Sequence, residues 1–202
     1  GSIHDNESEQ GAAIFNEIGR SGKVNITGGE FYNNRALYGG AIANLGILNI
    51  SSGNFHDNTA GDGGAVATLG NGITKITGGT FTSNRADRTV TIGSKTGASG
   101  TGGAIYQNSF HTSVTRYKDP ETKEFAVNGY MYVLGGTYSG NSAEYGGAIA
   151  VKGNSNSTTL PGIDWYGTMN WGWWSWAEIS GGVIRDNTAT KGGQAIVLDL
   201  QD

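Results

Sequence analysis

The chain has 202 residues, 36 of them glycine, with 2 Pro and no Cys. Glycine at more than twice its usual share of roughly 7%, with no G-x-y period and 36% hydrophobic residues, excludes collagen, a flexible linker and a helical domain. A formal charge of −4 offers no footprint for nucleic acid or an anionic membrane, and the lack of cysteine excludes disulfides, thiolate metal sites and a thiol nucleophile.

In chain order, Gly1-Ser2 reads as a cloning scar, which is compatible with removal of a targeting segment. A partial unit follows, with Ile3, Asn6 and Gly11-Ala12-Ala13-Ile14. The first full unit holds Gly28-Gly29-Glu30-Phe31, Asn34-Arg35-Ala36 and Gly39-Gly40-Ala41-Ile42. It recurs around Phe55, Asn58 and Gly63-Gly64-Ala65-Val66, and around Phe81, Asn84 and Gly102-Gly103-Ala104-Ile105. Two more copies centre on Tyr138, Asn141 and Gly146-Gly147-Ala148-Ile149, and on Ile184, Asn187 and Gly192-Gly193-Gln194-Ala195-Ile196. Asn34, Asn58 and Asn84 stand 24 and 26 residues apart, a length that suits one coil of a parallel β-helix.

Strand alternation predicts that Val24/Ile26, Leu48/Ile50, Ile76, Met131/Val133 and Ile179 point into the coil. The Phe/Tyr/Ile position and the Ala-Ile pair give two further inward walls. Glycine suits corners that need φ > 0 or no Cβ. The six asparagines suit corners too and predict an internal ladder. The expected fold is all-β: a single right-handed parallel β-helix domain over 1–202, of about six coils, excised from a larger protein.

Three stretches interrupt the unit: 87–101, 107–130 and 153–176. The first is rich in Thr, Ser and Gly and reads as a loop. The last two follow the same motif in successive units, so register predicts that they lie side by side. All five tryptophans fall in the last: Trp165, Trp171, Trp173, Trp174 and Trp176, with Tyr166 among them and Asp164 beside them. The neighbouring stretch holds Phe110, His111, Tyr117, Phe125 and Tyr130. Exposed aromatics form a platform for pyranose rings, whose C–H faces meet the electronegative ring face. Trp171, Trp173 and Trp176 can share one face of an extended segment, with Trp165 and Trp174 as anchors. The opposing reading is a satellite core that holds two long loops down.

No enzymatic activity is expected. The residues before the ladder asparagines are Asp5, Asn33, Asp57, Ser83, Gly140 and Asp186, and no two successive ones are carboxylates. Asp62 and Glu144 stand near the glycine corner but about two units apart. His4 and His56 share a register, too far apart for one metal, and nucleophile-elbow, zincin, phosphate-loop and EF-hand motifs are missing. No cofactor is expected; Asp164, as a hydrogen-bond acceptor or cation ligand, leaves Ca²⁺ open.

Gly-Gly-Ala-Ile and Phe-x-x-Asn, recurring together, resemble the repeats of chlamydial polymorphic outer-membrane proteins and related bacterial surface adhesins. That resemblance implies a right-handed β-helix and covers the scaffold, not the insertions. The architecture with its aromatic cluster is also similar to β-helical modules attached to plant-polysaccharide hydrolases of gut bacteria, some of which bind xylan. It implies a secreted or cell-surface bacterial carbohydrate-binding module. The candidate carbohydrate-binding residues, read from the aromatic cluster itself, are Trp165, Tyr166, Trp171, Trp173, Trp174, Trp176, Tyr117, Tyr130 and Asp164. The implied partners are a polysaccharide, best matched by xylan, and a catalytic domain in the same polypeptide; nucleic acid and membrane are not expected partners, and the module is expected to be a monomer. Two alternatives are an adhesin or passenger segment of a surface protein, and a β-helical polysaccharide lyase or glycoside hydrolase.

Overall fold

The computed structural model describes residues 1–17, 22–70, 72–96, 99–109, 117–118, 125–126, 130–153 and 176–200. Among them the chain is all-β, with no helix. Strand Ile47–His56 shows why. Leu48 and Ile50 are buried while Ile47 and Asn49 are half-exposed, so alternation gives one dry and one wet face.

Three large parallel sheets carry most of the described strands, and two small antiparallel pairs the rest. The first holds Ser2–His4, Lys23–Tyr32, Ile47–His56, then Ile73–Ile76 with Thr80–Thr82, then Tyr130–Ser139 and Trp176–Arg185. The second holds Glu7–Gln10, Arg35–Tyr38, Thr59–Asp62, Arg85–Ala86, Ser142–Tyr145 and Thr188–Gly192. The third holds Ile14–Asn16, Ile42–Asn44, Val66–Leu69, Ile105–Ser109, Ile149–Gly153 and Ile196–Leu200. The chain visits the sheets in turn and returns to the first beside its previous strand. This arrangement is compatible with a parallel β-helix.

Like residues stack on like. Phe31, Phe55, Phe81 and Tyr138 form one column with ring centroids 4.7, 4.8 and 4.9 Å apart. Each such contact adds about 0.5–1.5 kcal/mol beyond area burial. Tyr138 brings a hydroxyl into this dry column, and it donates to the Gly135 carbonyl at 3.1 Å. Ile26, Leu48, Ile50, Ile76, Met131 and Val133 are buried in the same core, with Val24 and Ile179 packed against it.

The asparagines form the predicted ladder. The backbone N–H and Nδ2 of Asn34 both donate to Asn58 Oδ1 at 3.1 Å. Asn58 repeats this onto Asn84, Asn84 onto Asn141 and Asn141 onto Asn187. The Nδ2 groups of Asn58, Asn84, Asn141 and Asn187 also donate to the carbonyls of Phe31, Phe55, Phe81 and Tyr138, and that of Asn34 to the Ile3 carbonyl. These buried amides are therefore satisfied by repetition itself.

The second glycine of each Gly-Gly corner is fixed by its neighbour. A Cβ on Gly40, Gly64, Gly103 or Gly147 would stand 2.0–2.2 Å from a carbonyl oxygen of the next unit. In the last unit this place is Gln194, and among the described residues no further unit stacks beyond it.

The described residues of the stretch 87–101 form an arm with strands of its own rather than a plain loop. Thr91–Ile92 and Lys95–Thr96 pair as a small antiparallel hairpin. It reaches back across earlier units: Lys95 pairs with Glu9 at 2.6 Å, and Arg35 Nη1 donates to the Thr91 carbonyl at 2.8 Å. Thr101 then refills the second sheet: it bridges to Tyr145, and its carbonyl accepts from Gly63 N–H at 2.9 Å.

Candidate functional site

The third-sheet strands set the points from which the two long segments depart. In early units they are short, Ile42–Asn44 and Val66–Leu69, and the chain re-enters the first sheet within a few residues. The later pair, Ile105–Ser109 and Ile149–Gly153, stay in register to Ser109↔Gly153. The next first-sheet strands begin in register at Tyr130↔Trp176. Segments 110–129 and 154–175 thus leave from paired residues and return to paired residues. The sequence reading starts the former at 107, but Gln107 is fully buried and continues the strand, paired with Thr68 and Val151.

The sequence-derived site residues distribute as follows. Asp164, Trp165, Tyr166, Trp171, Trp173 and Trp174 lie outside the described residues, as do Phe110 and His111. Tyr117 starts a two-residue strand whose partner holds Phe125, with Tyr117 opposite Ala126. Trp176 opens its first-sheet strand opposite Tyr130. Tyr130 is half-buried, and its ring lies parallel to that of Tyr132, 6.1 Å away at 8°.

Tyr132 is the residue that sequence reasoning missed. The signal was present: in Tyr130-Met131-Tyr132 the middle residue faces inward, so both tyrosines face out. Two outward rows cross the strands there. One runs Lys23, Ile47, Ile73, Tyr130 and the position of Trp176; the other runs Asn25, Asn49, Lys75, Tyr132 and Glu178. Asn49 Nδ2 donates to Asn25 Oδ1 at 2.9 Å. The face therefore combines an apolar row with a hydrogen-bonding row, side by side.

Other titratable groups are engaged elsewhere. Asp62 is buried beneath the arm and accepts from Thr101 Oγ1 at 2.7 Å, Thr101 N–H at 2.9 Å and Ser99 N–H at 3.1 Å. Burial pushes its carboxyl above the ordinary value, against the pull of these donors. Burial, with the Asp62 charge nearby, pushes the Tyr106 phenol up strongly. Glu144, on the far side of Gly100, pairs with Arg88 at 2.8 Å and Lys191 at 2.6 Å. Thus Asp62 and Glu144 flank one segment of chain rather than facing each other.

His4, Tyr32 and His56 stack on the outside, with centroids 4.5 and 5.0 Å apart. His4 meets Asp5 at 2.6 Å and His56 meets Asp57 at 2.8 Å. Tyr32 separates the two imidazoles, so they do not converge on one point. Among the described residues no group of three or more His, Asp or Glu could hold a metal ion.

No family model matches the chain, and neither a curated protein nor a solved structure matches it.

Proposed function

We propose that the chain is a non-catalytic carbohydrate-binding module: a right-handed parallel β-helix of about six coils, whose insertions present aromatic side chains to a plant cell-wall polysaccharide. Xylan is the preferred ligand, because a linear and nearly uncharged chain needs stacking surface rather than a basic groove. In a secreted or surface protein of bacterial origin, such a module holds an attached catalytic domain on its substrate and raises its effective concentration.

The observation that carries this reading is the pairing of the segment roots, Ser109 with Gly153 and Tyr130 with Trp176. The second segment holds four of the five tryptophans in its sequence, the fifth, Trp176, is at its root, and the stacked Tyr130–Tyr132 pair opens the strand beside that root. The repeat does not need these aromatics, since its interior is filled by its own columns.

Affinity electrophoresis against xylan, glucomannan, pectin and cellulose tests the proposal. Retention on at least one glycan is expected, insensitive to salt, and Trp171→Ala with Trp173→Ala should release it. Unchanged mobility on every glycan sinks the reading in favour of a protein-binding surface segment. New reducing ends or ultraviolet-absorbing products would replace it with an enzyme.

A further inference from the structure

The outward face of the first sheet carries two rows that the fold does not require. Side chains at Ile47, Ile73 and Tyr130 point away from the core, while Leu48, Thr74 and Met131 beside them are buried. Ile47 and Ile73, in successive strands and partly exposed, continue the row that ends at Tyr130 and present an apolar strip to a ligand. Next to it, Asn25, Asn49, Lys75, Tyr132 and Glu178 supply amide, ammonium, phenol and carboxylate groups in the same succession.

Resting on the carbohydrate-binding reading, we propose that a linear polysaccharide of β-linked pyranoses lies along this face, across the strands. It runs from Tyr130 and Tyr132 over Ile73 and Lys75 to Ile47 and Asn49. The geometry favours this direction. Strands repeat about every 4.8 Å, close to the length of one sugar in an extended chain, so successive sugars meet equivalent positions of successive strands. Each sugar has an apolar C–H face and a rim of hydroxyls. Ile47, Ile73 and the rings of Tyr130 and Tyr132 take the faces and desolvate the ligand, while Asn49 and Lys75 take the rim and orient it. The Asn49–Asn25 hydrogen bond fixes both amides in place before binding. Tyr132 thereby joins Tyr130 as a stacking residue, and Asn49 and Lys75 become hydrogen-bonding subsites beyond the tryptophan segment.

Titration with xylotriose and xylohexaose, followed by calorimetry and by the side-chain amide signals of Asn25 and Asn49 in NMR, tests the path. Xylohexaose should bind distinctly more tightly than xylotriose and shift both amide signals. Tyr132→Ala should weaken xylohexaose about tenfold, and Asn49→Ala and Lys75→Ala by a few-fold, with unchanged thermal unfolding. Wild-type protein that binds xylohexaose, loses it on Trp171→Ala, yet is indifferent to Tyr132→Ala, Asn49→Ala and Lys75→Ala overturns the path and leaves the module reading standing. Wild-type protein that binds neither xylo-oligosaccharides nor cellohexaose overturns both.

Discussion

The inner and outer faces of the same first-sheet strands obey opposite rules. Inside, the aromatic column keeps nearly one residue type from unit to unit: Phe31, Phe55, Phe81, Tyr138. Outside, a single row changes from Lys23 to Ile47, Ile73 and Tyr130. An inward side chain packs mainly against its own copies, so stacking selects identity. An outward side chain is released from that constraint, and its variation records what the surface meets. Strand position alone therefore separates what holds the molecule together from what it offers to a partner.

The widest gap between the two faces should appear at asparagine. Asn84 is fully buried and its amide holds four bonds: it accepts from Asn58 N–H and Nδ2, and donates to Phe55 O and Asn141 Oδ1. Asn84→Ala strands several of those partners in the core. At about 1–3 kcal/mol for each buried group left unpaired, the loss should reach several kcal/mol. Asn49→Ala, on the outer face, should change stability by less than about 0.5 kcal/mol. Urea unfolding of both variants reads the difference directly. Equal losses would mean that the ladder is no more structural than the surface row.

This division also explains what could be read from sequence. The asparagine, aromatic and glycine columns were legible because each residue recurs where its copy will touch it. Features that occur once leave no period to find. The arm at 87–101 is docked by Asp62, Glu9, Arg35 and Glu144, whose partners are far away in sequence. A second buried polar column was missed for a related reason. Asn16 donates to Asn44 at 2.7 Å, and Asn44 donates to Thr74, whose hydroxyl meets Thr68. Here the residue type drifts from Asn16 and Asn44 to Thr68 and Gln107, so no motif repeats through the stack. At the candidate site, the pairing of segment roots followed from register, while Tyr132 needed the alternation rule applied to a single strand.

The arm gives a middle-sized test, because it is an outward feature held by a buried group. Asp62→Ala leaves the Thr101 N–H and hydroxyl without their acceptor and should cost about 1–3 kcal/mol. The pH dependence has a definite sign. Burial raises the Asp62 pKa in the folded protein, so the native state binds its proton more tightly than the unfolded chain. The wild type should gain on Asp62→Ala as pH falls through the folded value toward the ordinary 3.8. Asp87, at the arm's start, behaves oppositely: the Thr89 N–H holds its carboxylate below the ordinary value. Its contribution is present above 3.8 and is lost as pH falls through the lower folded value. Denaturation series from pH 6 to pH 3 on wild type, Asp62→Ala and Asp87→Ala separate the two; an Asp62 gap that narrows on acidification contradicts the burial argument.

The smallest effect should come from a glycine that stacking does not constrain. Gly28 and Gly78 hold the same place in their units, before Gly29 and Gly79, whose φ values are 99° and 98°. A Cβ on Gly78 would sit 2.4 Å from the Ser51 carbonyl oxygen of the preceding strand. A Cβ on Gly28 meets nothing within 4 Å. Neither residue itself has positive φ, so backbone strain does not enter. The second unit already carries a side chain there, Ser52, and its neighbour Gly53 turns to φ 126° instead. Gly78→Ala should therefore destabilise by about 1–3 kcal/mol through forced displacement of strand Ile47–His56. Gly28→Ala should be neutral, or stabilise by about 0.4–1 kcal/mol by restricting the unfolded chain. If thermal unfolding shows the two substitutions to be equally harmful, the neighbouring strand is not what selects glycine at this bend.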